Sequence, residues 1–483
     1  MGRIPYKWIV AIVFVAGTFM DILDTTSVNV ALPTLGREFG VSVADIEWVV
    51  LGYLLSLAVW IPASGWIGDR FGTKRIYLFA LVMFTGASML CGVAPSLNEL
   101  IAYRIPQGVG GGMLVPVGTA MLFRAFPPIE RAKASTVLIV PTVLAPALGP
   151  VIGGWLVTEY SWRWIFYLNV PVGIATFVLG LFGLKEHREP TAGRFDLVGF
   201  LLSGGGLAAI LFALSRGPSD GWGAPVVAGP LVGGILAFAL LIYVETHVPE
   251  PMLALRLFAE RMFRNANIVT ALAFGSFAGL LFILPLFLQT LLGLSALESG
   301  LTTFPQAIGM ILASQVAGRL YHRIGPRRLV IGGLIALTIV TFPLTGVGFG
   351  TSLWVIRGIM FLRGIAMAFA FVPIQACSYA NIAPQDTGRA SAIYSAQRQI
   401  AASLGVAALA TVLAEALARN GGLADPAGAL QAFQLTMFVA TALIAVAVAS
   451  AFLIRDRDAA STIHRLAERE DFVAEDPLPI PER

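Results

Sequence analysis

Asp21 and Asp24 stand three residues apart inside a long apolar run, and Arg104, Arg363 and Arg398 stand equally deep in three others. An ionised side chain at the centre of a bilayer costs about 2.5 to 3.5 kcal/mol on insertion scales, so such residues face a partner or a water-filled cavity. The three-residue spacing puts Asp21 and Asp24 on one face of a helix, where two carboxylates can share a proton or hold a cation. Guanidinium stays charged at physiological pH, so it can orient and stabilise but cannot carry protons. The economical arrangement is an ion pair between Asp24 and Arg104. Asp24 is then either a structural partner or the group that gains and loses a proton. Asp21 is either a second titrating group or a polar residue at a wet helix end. Arg357, nearer the end of its run, can snorkel outward. Glu47, Glu99, Glu245 and Glu415 also sit at run ends, which leaves Asp21 and Asp24 as the only carboxylates well inside one.

The elements that must carry these residues are membrane helices. With 57% hydrophobic and 12% charged residues and a mean hydropathy of +0.81, a chain of 483 residues has too little polar surface to dissolve as a globule. Fourteen runs match a hydrocarbon core of roughly 30 Å. They lie near residues 8–33, 47–67, 76–94, 99–122, 133–157, 164–184, 197–215, 225–245, 266–291, 300–320, 328–348, 353–377, 390–416 and 432–454. The first is too long for a signal peptide and lacks a small-residue cleavage site, so it reads as an uncleaved span. Alternate loops collect the basic residues: Arg3 and Lys7; Arg70, Lys74 and Arg75; Arg124, Arg131 and Lys133; Lys185, Arg188 and Arg194; and so on to the tail from Arg455. The opposite loops hold only Arg37, Arg163, Arg216 and Arg419. This bias predicts both termini in the cytoplasm; the location expected is an inner or plasma membrane, in a bacterium.

Several function classes drop out. The net charge of +4 is topogenic and does not imply nucleic acid binding. Cys91 and Cys377 lie in apolar runs, too few for a disulfide framework or a metal site, and the four histidines fall in loops or the tail without spaced partners. No Walker-type glycine loop appears, so ATP is not the expected energy source. No cofactor and no metal are expected.

The chain also repeats itself. Gly65, Gly68, Asp69, Arg70, Gly72, Lys74 and Arg75 form a charged, glycine-punctuated turn between two spans. A fainter copy runs from Gly318 to Arg328, starting 253 residues later, with His322 where the first copy has Asp69. Arg104 is matched by Arg363, 259 residues on. Two markers at nearly one spacing predict a duplicated bundle of helices, the plan on which many secondary transporters achieve alternating access. The domains expected are residues 1–186, a six-helix bundle; 187–264, a linker with two extra spans and an amphipathic interfacial helix within Pro249–Arg264; 265–455, a second six-helix bundle; and 456–483, a mobile polar tail. In the fifth span, Gly149, Gly153 and Gly154 permit close helix approach, and Pro146 and Pro150 remove backbone donors.

Taken together, these residues resemble the Major Facilitator Superfamily, and within it the fourteen-span drug:proton antiporter branch. The turn at Gly65–Arg75 matches the superfamily's loop motif, and Asp24–Pro33 resembles the first-span motif of the branch. Arg104–Gly108 is similar to its fourth-span basic motif, Leu148–Gly154 to its exporter motif, and Trp162–Pro171 to another stretch typical of it. Ala145 stands where the exporter motif usually has glycine. The resemblance implies an all-α integral membrane protein of the major facilitator fold: two six-helix bundles plus two linker transmembrane helices, fourteen spans in all. It implies that Asp24 and Arg104 take part in proton coupling, and that Asp69 holds a cytoplasmic gate through contacts with a helix of the other half. The function expected is proton-driven export of hydrophobic compounds, cationic ones among them, with small molecules, protons and the lipid bilayer as partners and no accessory adaptor protein identified. A dedicated exporter of a metabolite, lipid or siderophore is the rival in the same class. An intramembrane enzyme would need a polar cluster that only Asp21 and Asp24 offer; a nontransporting receptor is the third class.

Overall fold

The computed structural model describes residues 5–41, 43–46, 48–189, 195–248 and 253–463. Fourteen long helices run through it: α1 Tyr6–Phe39, α2 Trp48–Phe71, α3 Thr73–Gly92, α4 Leu97–Ala125, α5 Arg131–Glu159, α6 Asn169–Gly183, α7 Leu197–Asp220, α8 Pro225–His247, α9 Arg261–Leu286, α10 Pro305–Ile324, α11 Pro326–Thr341, α12 Leu353–Ser378, α13 Thr387–Arg419 and α14 Pro426–Ala451. No strand occurs among the described residues. Helices dominate because only they satisfy every backbone donor and acceptor within one segment in a medium without water.

The helices pair in a pattern that occurs twice. In the first set α1 packs on α5 and α6, α2 on α4, and α3 on α4 and α6; in the second, α9 packs on α13 and α14, α10 on α12, and α11 on α12 and α14. The sets meet along two seams, α2 against α13 and α5 against α10, which exchange under the same correspondence. The helices α7 and α8 form a hairpin outside both sets, seated through α7 on α2 and α13. The expected architecture of two six-helix bundles with two linker helices is therefore the one observed.

The turn glycines have a physical reason. Gly72 has φ +106° between α2 and α3, and Gly325 has φ +88° between α10 and α11, conformations that side-chain-bearing residues rarely adopt. Each sits beneath a carboxylate from further along the chain. Glu186 Oε1 accepts from the Lys74 backbone N–H at 3.1 Å, and Asp456 Oδ1 from that of Arg327 at 2.9 Å. The end of the molecule that carries these turns is called the basic end below.

Some boundaries differ from the expected ones. Among the described residues, thirteen helical stretches are both long and apolar enough to span a bilayer. The span expected at 300–320 instead divides into a short helix Ala296–Thr303 and α10, which starts afresh at Pro305 because proline is tolerated in a first turn. Helix α10 is long enough to cross but carries Gln306, Gln315, Arg319, His322 and Arg323, which lower its hydropathy. The span expected at 164–184 likewise divides into Arg163–Tyr167 and α6. The interfacial helix is a correction: the described part of Pro249–Arg264 is one 3-10 turn, Leu255–Ala259, followed directly by α9, and Leu253 and Leu257 are buried rather than facing lipid. Met252 lies outside the described residues. The tail is a second correction. Asp456–Thr462 forms a docked 3-10 helix, with Tyr321 Oη 2.6 Å from Thr462 Oγ1 and Ala459 buried, because Asp456 and Thr462 find polar partners on α10 and α11; residues from 464 lie outside the described part.

Candidate functional site

Helix α1 brings Asp24 to the centre of a polar cluster that is sealed from solvent. Arg104 Nη1, from α4, lies 2.5 Å from Asp24 Oδ2. Gln107, three residues further along α4 and so on the same face, donates to Asp24 Oδ1 at 3.0 Å, and Asn169 at the start of α6 donates to the same oxygen at 2.7 Å. Asn169 also reaches Ser88 Oγ at 3.0 Å, and Arg104 Nε donates to the Val49 carbonyl at 3.1 Å. Arg104 and Gln107 are 0% exposed and Asp24 1%. Taking two such ions out of water costs several kcal/mol each, repaid only where geometry and the surrounding hydrogen bonds are good. Here three donors converge on one carboxylate, and none of them can accept a proton from it.

Asp21 lies one turn away and is reached by a different partner. The Tyr53 hydroxyl of α2 donates to Asp21 Oδ1, while the Tyr53 ring lies under the Arg104 guanidinium at 4.2 Å. The two aspartates are thus linked through one tyrosine and one arginine. The arrangement depends on small residues: a Cβ at Gly108 or Gly112 would meet the α2 backbone, and one at Gly111 would meet Asp21 and Tyr53. Of these participants, Gln107 and Asn169 stood inside stretches already recognised, and their polar types in apolar runs were the available signal. Tyr53 sits in an apolar run with nothing to distinguish it from other interior aromatics.

The turn motif occupies the α2–α13 seam at the basic end. Asp69 Oδ1 pairs with Arg124 Nη2 at 2.7 Å, and Arg124 Nε reaches the Pro384 carbonyl at 3.3 Å, across to the second set. The Asp69 carboxylate also lies against Gly388, in the first turn of α13, where a Cβ would come within 2.7 Å of Oδ2. A helix N-terminus favours an anion. Gly65 packs on the Gly388 backbone, Gly68 faces Val117 and Thr73, and Arg70 is exposed. Lys74 Nζ donates to the Leu181 carbonyl at 2.7 Å, and Arg75 Nε stands 3.6 Å from Glu186. On the other seam His322 instead meets the Thr462 carbonyl at 3.1 Å, and Gly318 faces Thr136.

Between the two sets, from mid-depth toward the end opposite the turns, lies a cavity of about 750 Å³. Thr26 and Asn29 of α1, Pro146 of α5, Phe277 of α9, Gln306 of α10 and Arg363 of α12 are among its lining residues. Gly149 and Gly153 set α5 against Thr26 and Ser27, whose hydroxyl donates to the Gly149 carbonyl at 3.2 Å; Gly154 faces Val30, and Pro150 lies on α5 between them. Below this cavity, nearer the basic end, Arg398 stacks over Phe274 at 4.3 Å beside a smaller space shared with Tyr394 and Gln375. Arg363 and Arg398 are therefore brought to the centre of the molecule, whereas Asp21, Asp24 and Arg104 are packed within the first set. A larger cavity, about 1560 Å³, lies on the flank between α8, α9 and α13, away from both arginines. Among the described residues no cluster of His, Cys, Asp and Glu suits a metal ion.

A sequence profile described as the Major Facilitator Superfamily matches residues 14–406 and 266–476. The chain is 36% identical over 406 residues to a multidrug resistance protein B homolog of Mycobacterium tuberculosis, covering 83% of this chain and 75% of that one. It is 32% identical over 445 residues to a putative multidrug resistance protein, MdtD, of Serratia proteamaculans, covering 92% of each. Among solved structures, the human organic anion transporter MFSD10 superimposes with a TM-score of 0.66 at 18% identity, over 91% of this chain and 100% of that one, a likeness of fold. A twofold helix pattern, a shared turn and a profile that spans nearly all of both sets lead to one family: this chain is a transporter of the Major Facilitator Superfamily and not an enzyme.

Proposed function

We propose that the protein is a proton-driven exporter of hydrophobic compounds that works by alternating access, with Asp24 as the coupling carboxylate, Arg104 as its counter-charge and Asp21 as a second member linked through Tyr53. The observation that carries this reading is the sealed Asp24–Arg104–Gln107–Asn169 cluster, which joins three helices of one bundle around a single ionisable oxygen pair. A rearrangement within the first bundle that moves α1 away from α4 as the bundles rock removes the counter-charge from a buried carboxylate, and the economical response is proton uptake. Asp69, Arg124 and Gly388 act as the gate at the basic end, and Gly149, Gly153 and Gly154 let α5 slide closely on α1. The relatives named for multidrug resistance favour export of several compounds, a breadth that a dedicated exporter of one metabolite, lipid or siderophore would lack. The test is export into inverted membrane vesicles, following a fluorescent substrate panel and internal pH together. Substrate-linked proton release supports the reading; panel accumulation that persists when the pH gradient is collapsed contradicts it.

In this reading the basic end is cytoplasmic, both termini lie there, and the functional units are residues 1–186, 187–264 and 265–455, with the tail from 456. Both native cysteines are buried, so engineered thiols report cleanly. Ser219→Cys and Ala427→Cys, at exposed positions opposite the basic end, react with a membrane-impermeant reagent added outside intact cells, and Ser461→Cys does not. Labelling of Ser461→Cys from outside overturns the orientation.

A further inference from the structure

The duplicated arginines are not treated alike. Arg104 is neutralised by Asp24, and only its Nη2 lacks a protein acceptor. Arg363, its counterpart in α12, is 2% exposed and has no carboxylate partner among the described residues; its Nη1 donates to Gln306 Oε1, while Nε and Nη2 have no protein acceptor. Helix α9, which stands in the second set where α1 stands in the first, has no acidic residue anywhere along Arg261–Leu286. Arg363 lines the central cavity, and so does Ser299, whose buried hydroxyl is also without a protein partner. No carboxylate lines that cavity among the described residues. The neighbouring Glu298 faces outward and is engaged in the capping box with Ser295. Close packing fixes the guanidinium: Gly364 brings α12 against the α10 backbone at Gln306 and Met310, so that Gln306 holds one edge of Arg363 and leaves the other two donors uncommitted.

A buried guanidinium with spare donors is costly unless an anion meets it, and a planar fork of N–H groups suits carboxylate, sulfonate and phosphate oxygens. The remainder of the cavity is largely apolar, with Phe277, Leu280 and Leu284 on α9 and Met360 on α12. We propose that Arg363, oriented by Gln306 and assisted by the Ser299 hydroxyl, is an anion-recognition site, and that the compounds carried through this cavity are amphiphiles with an acidic group on an apolar body. This rests on the reading of the central cavity as the transport site. It replaces the expected preference for cations, since Asp21, the residue on which that preference would rest, is held by Tyr53 within the first bundle and lines none of the cavities described above.

The test uses the purified full-length protein in nanodiscs and two scaffolds, naphthalene and biphenyl, each carrying a sulfonate, an uncharged sulfonamide or a methylammonium group. Binding is measured by equilibrium dialysis. In the wild type the sulfonates bind at least roughly tenfold tighter than the sulfonamides, as a charge-assisted fork contact in a water-poor site predicts, and the ammonium compounds bind weakest. Arg363→Gln brings the sulfonates to the level of the sulfonamides and leaves the sulfonamides unchanged, Arg363→Lys retains part of the preference, and Ser299→Ala reduces it by a smaller factor. Sulfonates binding no tighter than their uncharged partners, or Arg363→Gln weakening all three head groups equally, overturns the proposal. Should Arg363→Gln fail to fold, the wild-type head-group order together with Ser299→Ala decides. Flux of the same compounds in proteoliposomes separates the two readings: head-group preference without flux defeats transport through this cavity and leaves the anion site standing, and flux without preference does the reverse.

Discussion

Asp24→Asn abolishes uphill export and substrate-linked proton release while passive equilibration of substrate continues. Asparagine keeps the size of the side chain and one acceptor oxygen for Gln107 or Asn169, but it removes the charge that Arg104 faces at 2.5 Å. An uncompensated buried charge costs roughly 3 to 5 kcal/mol, so the single variant also loses stability and is compared only at matched protein levels. The double variant Asp24→Asn, Arg104→Gln removes both charges and recovers much of that loss, since replacing a buried pair together is far less costly than breaking it. It does not recover coupling. This separates a structural role, which the double variant repairs, from a proton-carrying role, which it cannot. The assay is pH-driven accumulation in inverted vesicles with a pH dye and a fluorescent substrate. Full accumulation by an Asp21→Asn, Asp24→Asn double variant would refute carboxylate coupling.

The second large effect is expected at the gate. Asp69→Asn preserves insertion but shifts the protein toward the state open at the basic end. The carboxylate serves two partners at once, the Arg124 guanidinium and the first turn of α13 beside Gly388, and asparagine is a weaker partner for both. The difference is roughly 1 to 3 kcal/mol, a change of about 5- to 150-fold in the balance between states. Spin labels on cysteines at the exposed positions Phe71 and Gln385, either side of the seam, show a longer-distance population that grows in the variant. His322→Asn affects transport less, because the second copy of the turn has already lost the carboxylate that Asp69 supplies in the first, and His322 meets the Thr462 backbone carbonyl there. Equal transport loss in the two variants at equal expression would remove the asymmetry proposed for the seams.

The parts of this molecule that could be read from residues are those where a residue type is expensive in its setting. A carboxylate or guanidinium in an apolar run announces itself, and Asp24 and Arg104 do meet. Neutral groups announce themselves less: Gln107 and Asn169 offer only a polar type in an apolar run, and Tyr53 looks like many other interior aromatics until the fold brings it to Asp21. Element ends were harder still. Proline at 305 restarts a helix within what hydropathy shows as one run. The segment after Arg455 reads as solvent-loving, yet Asp456 is the residue that covers Gly325, as Glu186 covers Gly72. That repetition involves residues outside the recognised motif and could be found only once both turns were seen.

The hairpin α7–α8 makes the molecule handed within the plane of the membrane. It covers one of the two seams: Gly204 sits on the α2 backbone at Val59, Leu207 and Leu211 bury against Ala58, and Trp222 Nε1 reaches across to Thr411 of α13 at 3.0 Å. Among the described residues no such hairpin lies over the α5–α10 seam, where only the short helix Ala296–Thr303 packs on α5. A compound arriving from the lipid is therefore expected to meet two unlike sides, one carrying the hairpin and one without it. The hairpin, tied to both halves, must also bend or slide whenever they rock. Its glycines at 204, 206 and 234, where neighbouring backbone and side chains approach closely, then act as bearings as much as packing.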